Sequence, residues 1–170
     1  MSNWNTYIKE YQNYLRLERG LSPNTIQNYS FDIEKLVGFL TENNIDVSPI
    51  KIADEQVQQF IYTISTQVNA RSQSRIISGL KSFFNYLIFE DYRKDTPLEL
   101  IEVPKTGRKL PDTLSTQEID LLINAINLTS AEGERNKAIL ETLYSCGLRV
   151  SELVTLKISD LFFEEGFIKI

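Results

Sequence analysis

Apolar residues recur at helical spacing through most of the first hundred positions of the chain. Because side chains three and four residues apart share one face of a helix, this pattern predicts four amphipathic helices. Gly20 is typical of a helix end, and Ser22 followed by Pro23 is typical of a helix start. The predicted helices lie in the segments 3–20, 21–44, 54–65 and 71–91. Helices with such short connections can bury one shared core, so residues 1–101 are predicted to form a helical bundle.

The pattern changes at residues 102–112, which we interpret as a linker between two domains. The segment EVPKTGRKLPDT holds two prolines, one glycine and three bases but little apolar content. Such a composition is typical of a domain boundary. Beyond it, the spacing of Ser115 and Glu118 is that of a capping box and predicts a new helix. The rest of the second domain, 113–170, is predicted to contain helices at about 134–145 and 151–156. Its last residues, LFFEEGFIKI, are predicted to form a strand, a turn at Gly166 and a second strand.

The second domain is short for an independent fold. It has roughly 58 residues (113–170), and domains of this size bury a smaller share of their surface than larger domains do. Its last strand ends at Ile170 without a further strand to pair with, and a two-stranded hairpin is marginally stable alone. From these features we expect the chain to be the front part of a longer protein.

Charge is distributed unevenly along the chain. The 170 residues carry a formal net charge of −5, which taken alone argues against a nucleic-acid partner. No acidic residue lies between Glu55 and Glu90, however, and this window contains Arg71, Arg75 and Lys81. A second window without acids, 103–111, contains Lys105, Arg108 and Lys109. Because a phosphate backbone responds to local potential, the middle of the chain is the predicted place for an anionic partner.

The composition excludes several kinds of site. The single cysteine, Cys146, cannot form an internal disulfide and suits a reducing compartment, so we expect a cytoplasmic protein. With no histidine in the chain, we expect neither a structural zinc site nor histidine-based nucleophilic chemistry. The N-terminus lacks the pattern of a signal peptide, and the apolar runs are too short for a transmembrane helix. We therefore expect no membrane partner.

The fourth predicted helix presents a basic face. Arg71 and Arg75 are four residues apart, and Ser78 and Ser82 continue the same row. Arginines in such a row can bind phosphates bidentately or reach guanine edges in a major groove. Lys81 widens the polar side of this helix. The alternative is an ordinary solvated face, but such a face normally mixes charges of both signs.

Other polar and aromatic residues each allow two interpretations. The three linker bases suit a strap across a DNA backbone or a flexible connector. The first helix carries aromatic residues at helical spacing, which favours a core or subunit-packing face over stacking on bases: Trp4, Tyr7, Tyr11 and Tyr14. Cys146 is interpreted as a small buried hydrophobic residue.

Arg149 stands among apolar neighbours in the stretch SCGLRVSELVTL. An arginine in such surroundings needs a partner, because an unpaired buried charge is costly. Gly147 allows a tight break between two helices, which places Arg149 near the start of the next helix, and Glu152 follows three residues later. The pair is therefore either an ordinary intrahelical ion pair or an arginine oriented by a carboxylate and presented to a phosphate.

Three segments carry a resemblance to a known family: RSQSRIISGLKSFFNYL, LPDTLSTQEIDLLI and LYSCGLRVSELVTLKISDL. They resemble the Xer-type tyrosine recombinases of the phage integrase family, and the opening YLRLERGLSPNTIQNYSFDIEKLVGFL is similar to the N-terminal domain of that family. The resemblance covers essentially the whole chain. It implies a mainly α fold: a SAM-like four-helix core-binding domain, then the helical start of a catalytic domain ending in a β-hairpin.

The resemblance also implies an activity. Members of this family clamp DNA between two domains and cleave one strand through a tyrosine that becomes linked to the 3′-phosphate, without metal or nucleotide cofactors. Arg149 matches the first catalytic arginine of the family and Glu152 the nearby glutamate. The stretch Arg71, Ser72, Gln73 and Arg75 resembles the DNA-facing helix of the core-binding domain.

The departures from the family pattern concern the remaining catalytic groups. The catalytic lysine, the His-x-x-Arg box and the nucleophilic tyrosine have no counterpart in this chain, and none of the eight tyrosines matches the nucleophile. Lys169 lies within the last predicted strand and does not match the catalytic lysine. We therefore expect this chain to bind DNA but not to cleave it.

For the full-length protein, the expected function is site-specific recombination, with chromosome dimer resolution as its role. Its partners would be a double-stranded recombination site and other recombinase subunits in a tetramer. The sequence leaves open whether those subunits are identical or paralogous, and whether a cell-division protein activates the complex. Two alternatives remain: a non-catalytic, integrase-like DNA-binding protein, and a helical interaction module whose basic helix is incidental.

Overall fold

Four helices account for the first part of the chain: α1 (Trp4–Leu17), α2 (Pro23–Glu42), α3 (Asp54–Ser65) and α4 (Ala70–Phe89). The computed structural model describes residues 3–105, 107 and 110–170. It divides the chain into two units, Met1–Arg108 and Lys109–Ile170, and this division falls within the segment that we interpret as a linker. Each unit is described by itself below.

The helix starts follow from side chains that satisfy free backbone groups. Pro23 is the first residue of α2, and Ser22 Oγ accepts a hydrogen bond from the Thr25 N–H at 3.3 Å. Asn69 Oδ1 accepts from the Ser72 N–H at 2.9 Å, so α4 begins at Ala70. Both are N-caps, which satisfy amides that have no partner within the helix. The starts of these helices can therefore be predicted accurately from the sequence, because each capping residue is close in sequence to the amide that it binds.

The core of the first unit is rich in aromatic contacts between α1 and α4. Trp4 stacks on Phe83 with ring centroids 6.1 Å apart, and Tyr11 meets the same ring edge-on at 5.4 Å. The Tyr11 hydroxyl lies 2.7 Å from Ser82 Oγ, to which it donates a hydrogen bond. Trp4 and Tyr11 are buried, so their place is in the core rather than on a surface that could stack on bases.

The second unit contains shorter elements. They are α5 (Thr116–Asn124), α6 (Ala131–Cys146), α7 (Val150–Thr155), one 3₁₀ turn (Ile158–Asp160) and the strands β1 (Leu161–Phe162) and β2 (Phe167–Ile168). The strands are antiparallel, with Leu161 opposite Ile168 and Phe162 opposite Phe167. The predicted order of three helices and a hairpin is confirmed, and the fold is mainly α.

Capping residues also determine where the helices of the second unit begin. The predicted capping box of α5 is present, because Ser115 Oγ accepts from the Glu118 N–H at 3.3 Å and Glu118 Oε2 accepts from the Ser115 N–H at 2.8 Å. The helix α6 begins three residues earlier than predicted. Its N-cap is Ser130, whose Oγ accepts from the Gly133 N–H at 3.1 Å.

Burial differs sharply between the two units. Among the described residues of the second unit, Leu148 is the only apolar side chain with less than a tenth of its surface exposed. Many other apolar side chains of this unit are exposed, including Leu114, Leu121, Leu122, Leu128, Val150, Val154, Ile158, Phe163 and Ile170. Cys146 is exposed as well, together with the two residues before it in α6, so its interpretation as a buried residue was wrong. No described helix combines the length and apolar character needed to cross a membrane.

The helices α2 and α4 approach each other at Gly79, which is buried in α4. A Cβ atom added there would lie 2.5 Å from Asp32 Oδ2 and 3.1 Å from Asp32 Cβ. The first distance is shorter than a Cβ contact allows, so a side chain at position 79 would have to displace the Asp32 carboxylate, and glycine permits the close contact of the two helices.

We expect Gly79→Ala to lower the free energy of unfolding by about 1–3 kcal/mol, because the added methyl must displace Asp32 from a packed interface. Gly38→Ala is the matched control, since Gly38 lies inside α2 with no atom within 4 Å of a built Cβ. This control should raise stability by roughly 0.5–1 kcal/mol through the loss of unfolded-state entropy. Urea unfolding measures the free energy of unfolding of both variants. Equal changes in this free energy would contradict the close approach at Gly79.

Candidate functional site

Arg75, the centre of the predicted basic face, is held by a carboxylate from another helix. Its Nη1 donates to Asp32 Oδ2 and its Nη2 donates to Asp32 Oδ1, both at 2.7 Å. Asp32 lies in α2 and its side chain has no exposed surface, whereas the Arg75 side chain is 44% exposed. The pair is therefore bidentate, fixed in orientation and open to solvent on the arginine side only.

Burial raises the pKa of Asp32 above its ordinary value, and the hydrogen bonds and charge of Arg75 oppose this shift. Because the raised pKa means that the fold disfavours the ionised form, this carboxylate costs stability as pH rises through its folded pKa. Removing only the arginine would leave a buried carboxylate without its counter-charge, which is the costly case.

The sequence argument for a basic face without acids missed Asp32, because it considered only acids close in sequence. Asp32 is 43 residues from Arg75, yet it neutralises that guanidinium. A signal was present, since Asp32 precedes Ile33 and shares a helix face with Leu36 on the apolar side of α2. A carboxylate at such a position predicts a buried cationic partner.

Arg71 lies in the first turn of α4 and is exposed. Among the residues that the structure describes, its side chain has no hydrogen-bond or ion-pair partner. Its positive charge adds to the partial positive charge of the helix N-terminus, an arrangement that costs stability unless an anion is near. Ser72 and Gln73 follow in the same turn and are half-buried. This turn therefore keeps an uncompensated positive potential.

Two other residues of the polar side of α4 hold the chain segment that follows the bundle. Lys81 Nζ donates to the Ile101 carbonyl at 3.1 Å. The Ser74 hydroxyl shares its proton between the Ala70 carbonyl at 2.8 Å and the Pro104 carbonyl at 3.2 Å. Lys105, the next residue, is exposed. Lys81 thus has a structural contact that the sequence did not predict. The predicted linker bases Arg108 and Lys109 lie outside the described residues.

Arg149 is the N-cap residue of α7, two residues after the left-handed turn at Gly147, whose φ is +63°. Its Nη1 donates to Glu152 Oε1 at 2.8 Å, and its backbone N–H donates to Glu152 Oε2 at 2.6 Å. One carboxylate therefore binds both the backbone and the side chain of Arg149. The sequence correctly predicted this partner.

Arg149 is not buried, although its sequence neighbours are apolar. Its side chain is 83% exposed, because Val150 and Val154 are exposed too and only Leu148 packs inward. Two hydrogen bonds from Arg149 hold the pKa of Glu152 below its ordinary value. The bond from the backbone N–H lowers this pKa most, and the bond from the side chain has the next largest effect. Glu152 therefore stays ionised and restrains an arginine that is open to solvent.

The tyrosines differ in their capacity to act as nucleophiles. Burial raises the pKa of Tyr11 and of Tyr86, so neither forms a phenolate readily. Tyr62 and Tyr144 are exposed, but neither has a hydrogen-bond partner among the described residues that would activate its hydroxyl. Tyr144 belongs to α6, the helix that precedes Arg149.

Comparison with protein families assigns both parts of the chain. Residues 8–91 match the phage integrase N-terminal SAM-like domain, and residues 112–170 match the phage integrase family. The first match contains α2, α3 and α4 entire, and the second contains α5 to β2.

Individual relatives agree with this assignment. The chain is 39% identical over 163 residues to "Tyrosine recombinase XerD" of Oceanobacillus iheyensis, covering 95% of this chain and 54% of the relative. It is 38% identical over 167 residues to the protein of the same name from Yersinia pestis, covering 98% and 55%. The solved integrase from mycobacterium phage Brujita has the same fold, with a TM-score of 0.55 at 19% identity, covering 98% of this chain and 53% of that one. The chain spans about half the length of the relatives that it matches.

The pH dependence of α7 provides a test of the Arg149–Glu152 contact. Because the folded pKa of Glu152 is depressed, its ionisation stabilises the start of α7 above the ordinary glutamate pKa and this contribution is lost as pH falls through the folded value. In Arg149→Ala the backbone N–H contact remains, so we expect the pKa of Glu152 to rise only part of the way to its ordinary value. Carboxyl NMR titration measures the pKa of Glu152 in the unsubstituted chain and in the variant. A complete return to the ordinary value in the variant would contradict the leading role of the backbone contact.

Proposed function

Because the chain belongs to the phage integrase family, we propose that it is the DNA-binding and arginine-bearing part of a site-specific tyrosine recombinase. The observation that carries the proposal is Arg149, whose exposed guanidinium donates one hydrogen bond to Glu152 and whose backbone N–H donates a second to the same carboxylate. A restrained cation of this kind can stabilise the charge that develops on a phosphorus atom during strand cleavage. Arg149 is thus the proposed catalytic residue, and Glu152 is its positioning residue.

The first unit supplies the proposed DNA contacts. Arg71 has no partner among the described residues, and it lies at a helix end that attracts anions. A helix of the length of α4 fits the major groove of B-DNA, where phosphates flank it on both sides. Arg75, Ser72 and Gln73 lie on or beside the same turn, and Lys105 follows the segment bound to α4. Lys81, Arg108 and Lys109 remain proposed contacts from their charge.

The chain of 170 residues is proposed to bind DNA without cleaving it. It contains no histidine to assist proton transfer, and its two most exposed tyrosines have no activating partner among the described residues. Cleavage by the whole protein needs groups that the family pattern places outside the segments matched by this sequence. We propose further that the whole protein acts as a tetramer on two recombination sites and resolves chromosome dimers, with a cell-division protein as a candidate activator.

We expect Arg71→Ala to weaken duplex binding at low salt and to reduce the slope of log K against log salt by about 0.9, the value for one lost phosphate contact. Lys9→Ala is the control, because Lys9 is an exposed base on α1, outside the proposed interface. Fluorescence anisotropy with a labelled duplex over a series of salt concentrations measures both. Equal slopes for the two variants would place the interface elsewhere. A duplex affinity that does not change with salt concentration would favour the interaction-module alternative.

We expect Arg149→Ala to lower strand cleavage by the protein of the complete gene by about 10²–10³-fold, as for the loss of one group that stabilises the transition state. Its affinity for the duplex should change little, because the substitution leaves the first unit intact. A suicide substrate that traps the covalent intermediate gives the cleavage rate. Retained cleavage would exclude the catalytic role, and absence of cleavage by the unsubstituted whole protein would favour the non-catalytic alternative.

A further inference from the structure

The pairing of Arg75 with Asp32 gives the two arginines of α4 different net charges. Arg71 keeps its full charge, whereas a carboxylate at 2.7 Å from both terminal nitrogens neutralises Arg75. Because the attraction of phosphate for a cation depends on net charge, Arg75 has lost most of its advantage as a phosphate ligand. A phosphate placed beside Arg75 would also be repelled by the buried carboxylate behind it.

Arg75 retains directed hydrogen-bond donors. A guanidinium has five N–H groups, and Asp32 accepts one from each terminal nitrogen. The Nε–H and the adjacent free Nη–H form the second edge of the planar group, and no described residue accepts a hydrogen bond from them. The side chain is 44% exposed, and it borders a shallow surface cavity of about 420 Å³ whose other lining residues all belong to α2: Asn28, Phe31, Glu34 and Lys35. Solvent therefore reaches a guanidinium whose plane Asp32 has already fixed.

From this geometry we propose that Asp32 is a positioning residue that holds Arg75 to read a guanine in the major groove, with Arg71 left to bind phosphate. Guanine N7 and O6 are two neighbouring acceptors on an uncharged base edge, and they match two parallel N–H groups. Orientation fixed beforehand matters most for such a contact, since base readout depends on direction while phosphate binding depends mainly on charge. This inference rests on the proposed DNA-binding function and adds sequence specificity to it.

The packing around Asp32 supports a positioning role. Gly79 faces Asp32 so closely that a Cβ would lie 2.5 Å from Oδ2, so the carboxylate has little room to change rotamer. Asp32 is also the only charged side chain without exposed surface among the described residues. A carboxylate needed only to balance Arg75 could stand in solvent at lower cost, so its burial is better explained by a requirement for fixed direction.

The test is selection from a pool of duplexes with randomised base pairs, using the 170-residue chain and three variants. Asp32→Asn removes the bidentate acceptor, and Arg75→Lys keeps the charge opposite Asp32 but loses the planar pair of donors. Glu42→Gln removes one exposed charge from the same helix α2 and is the control. We expect the unsubstituted chain and the control to select a guanine at one position that both other variants no longer select. Preferences at other positions should persist.

A second measurement uses the selected duplex with 7-deazaguanine, which lacks the N7 acceptor, at that position. We expect the unsubstituted chain to lose about tenfold in affinity, as for one good base contact, and Arg75→Lys to show no further loss. Circular dichroism of each variant separates unfolding from altered readout. If Asp32→Asn fails to fold, Arg75→Lys and the modified base still decide the question.

Each other outcome has a distinct meaning. If the chain retains no duplex at all, the proposed DNA-binding function fails, and the inference fails with it. If the chain binds DNA but both variants weaken every sequence equally, Arg75 binds phosphate and the inference alone is wrong. Selection without any guanine that depends on Asp32 would overturn it in the same way.

Discussion

Asp32 and Arg75 join the two 20-residue helices of the first unit through a carboxylate that solvent does not reach. This contact affects both the helix interface on its buried side and the basic face of α4 on its exposed side. On the inner side it favours glycine at position 79, since any side chain there would have to displace the carboxylate. On the outer side it fixes a guanidinium in one plane and cancels its charge, so the basic face of α4 has one free cation in its first turn and one neutral pair a turn later. The electrostatic character of this face thus depends on a residue of a different helix.

Most of the fold follows from local sequence signals. Ser22, Asn69 and Ser115 each accept a hydrogen bond from a backbone amide two or three residues into the helix, and such caps are readable because donor and acceptor are close in sequence. The Arg149–Glu152 contact is local for the same reason. The Asp32–Arg75 pair spans 43 residues, and the contacts of Lys81 and Ser74 with the following segment span 20 and 30. These pairings depend on how helices pack, which no spacing rule contains.

The candidate site divides along the same line. Sequence comparison within one motif identified Arg149 and its carboxylate, and the structure gives their distances and exposure. Exposure itself was not readable, because Val150 and Val154 would bury Arg149 only if something packed against α7, and the described residues leave them open. On α4, the sequence placed both arginines on one helix face and gave them the same predicted role. Only the position of Asp32 distinguishes the two arginines, because the sequence does not show which arginine is paired with a distant carboxylate.

The unequal burial of the two units also determines how they exchange backbone hydrogens with solvent. Amides of α2 and α4 lie against a continuous core that includes Leu36, Leu80 and Phe83, so we expect those in the middle of the helices to exchange mainly when the bundle opens. In α5 to α7 the apolar side chains are largely exposed, so we expect small local openings to suffice. One polypeptide should therefore show two exchange regimes, slow before the linker and fast after it. Any molecule that covers the apolar surface of the second unit would reveal itself by slowing exchange there while leaving the first unit unchanged.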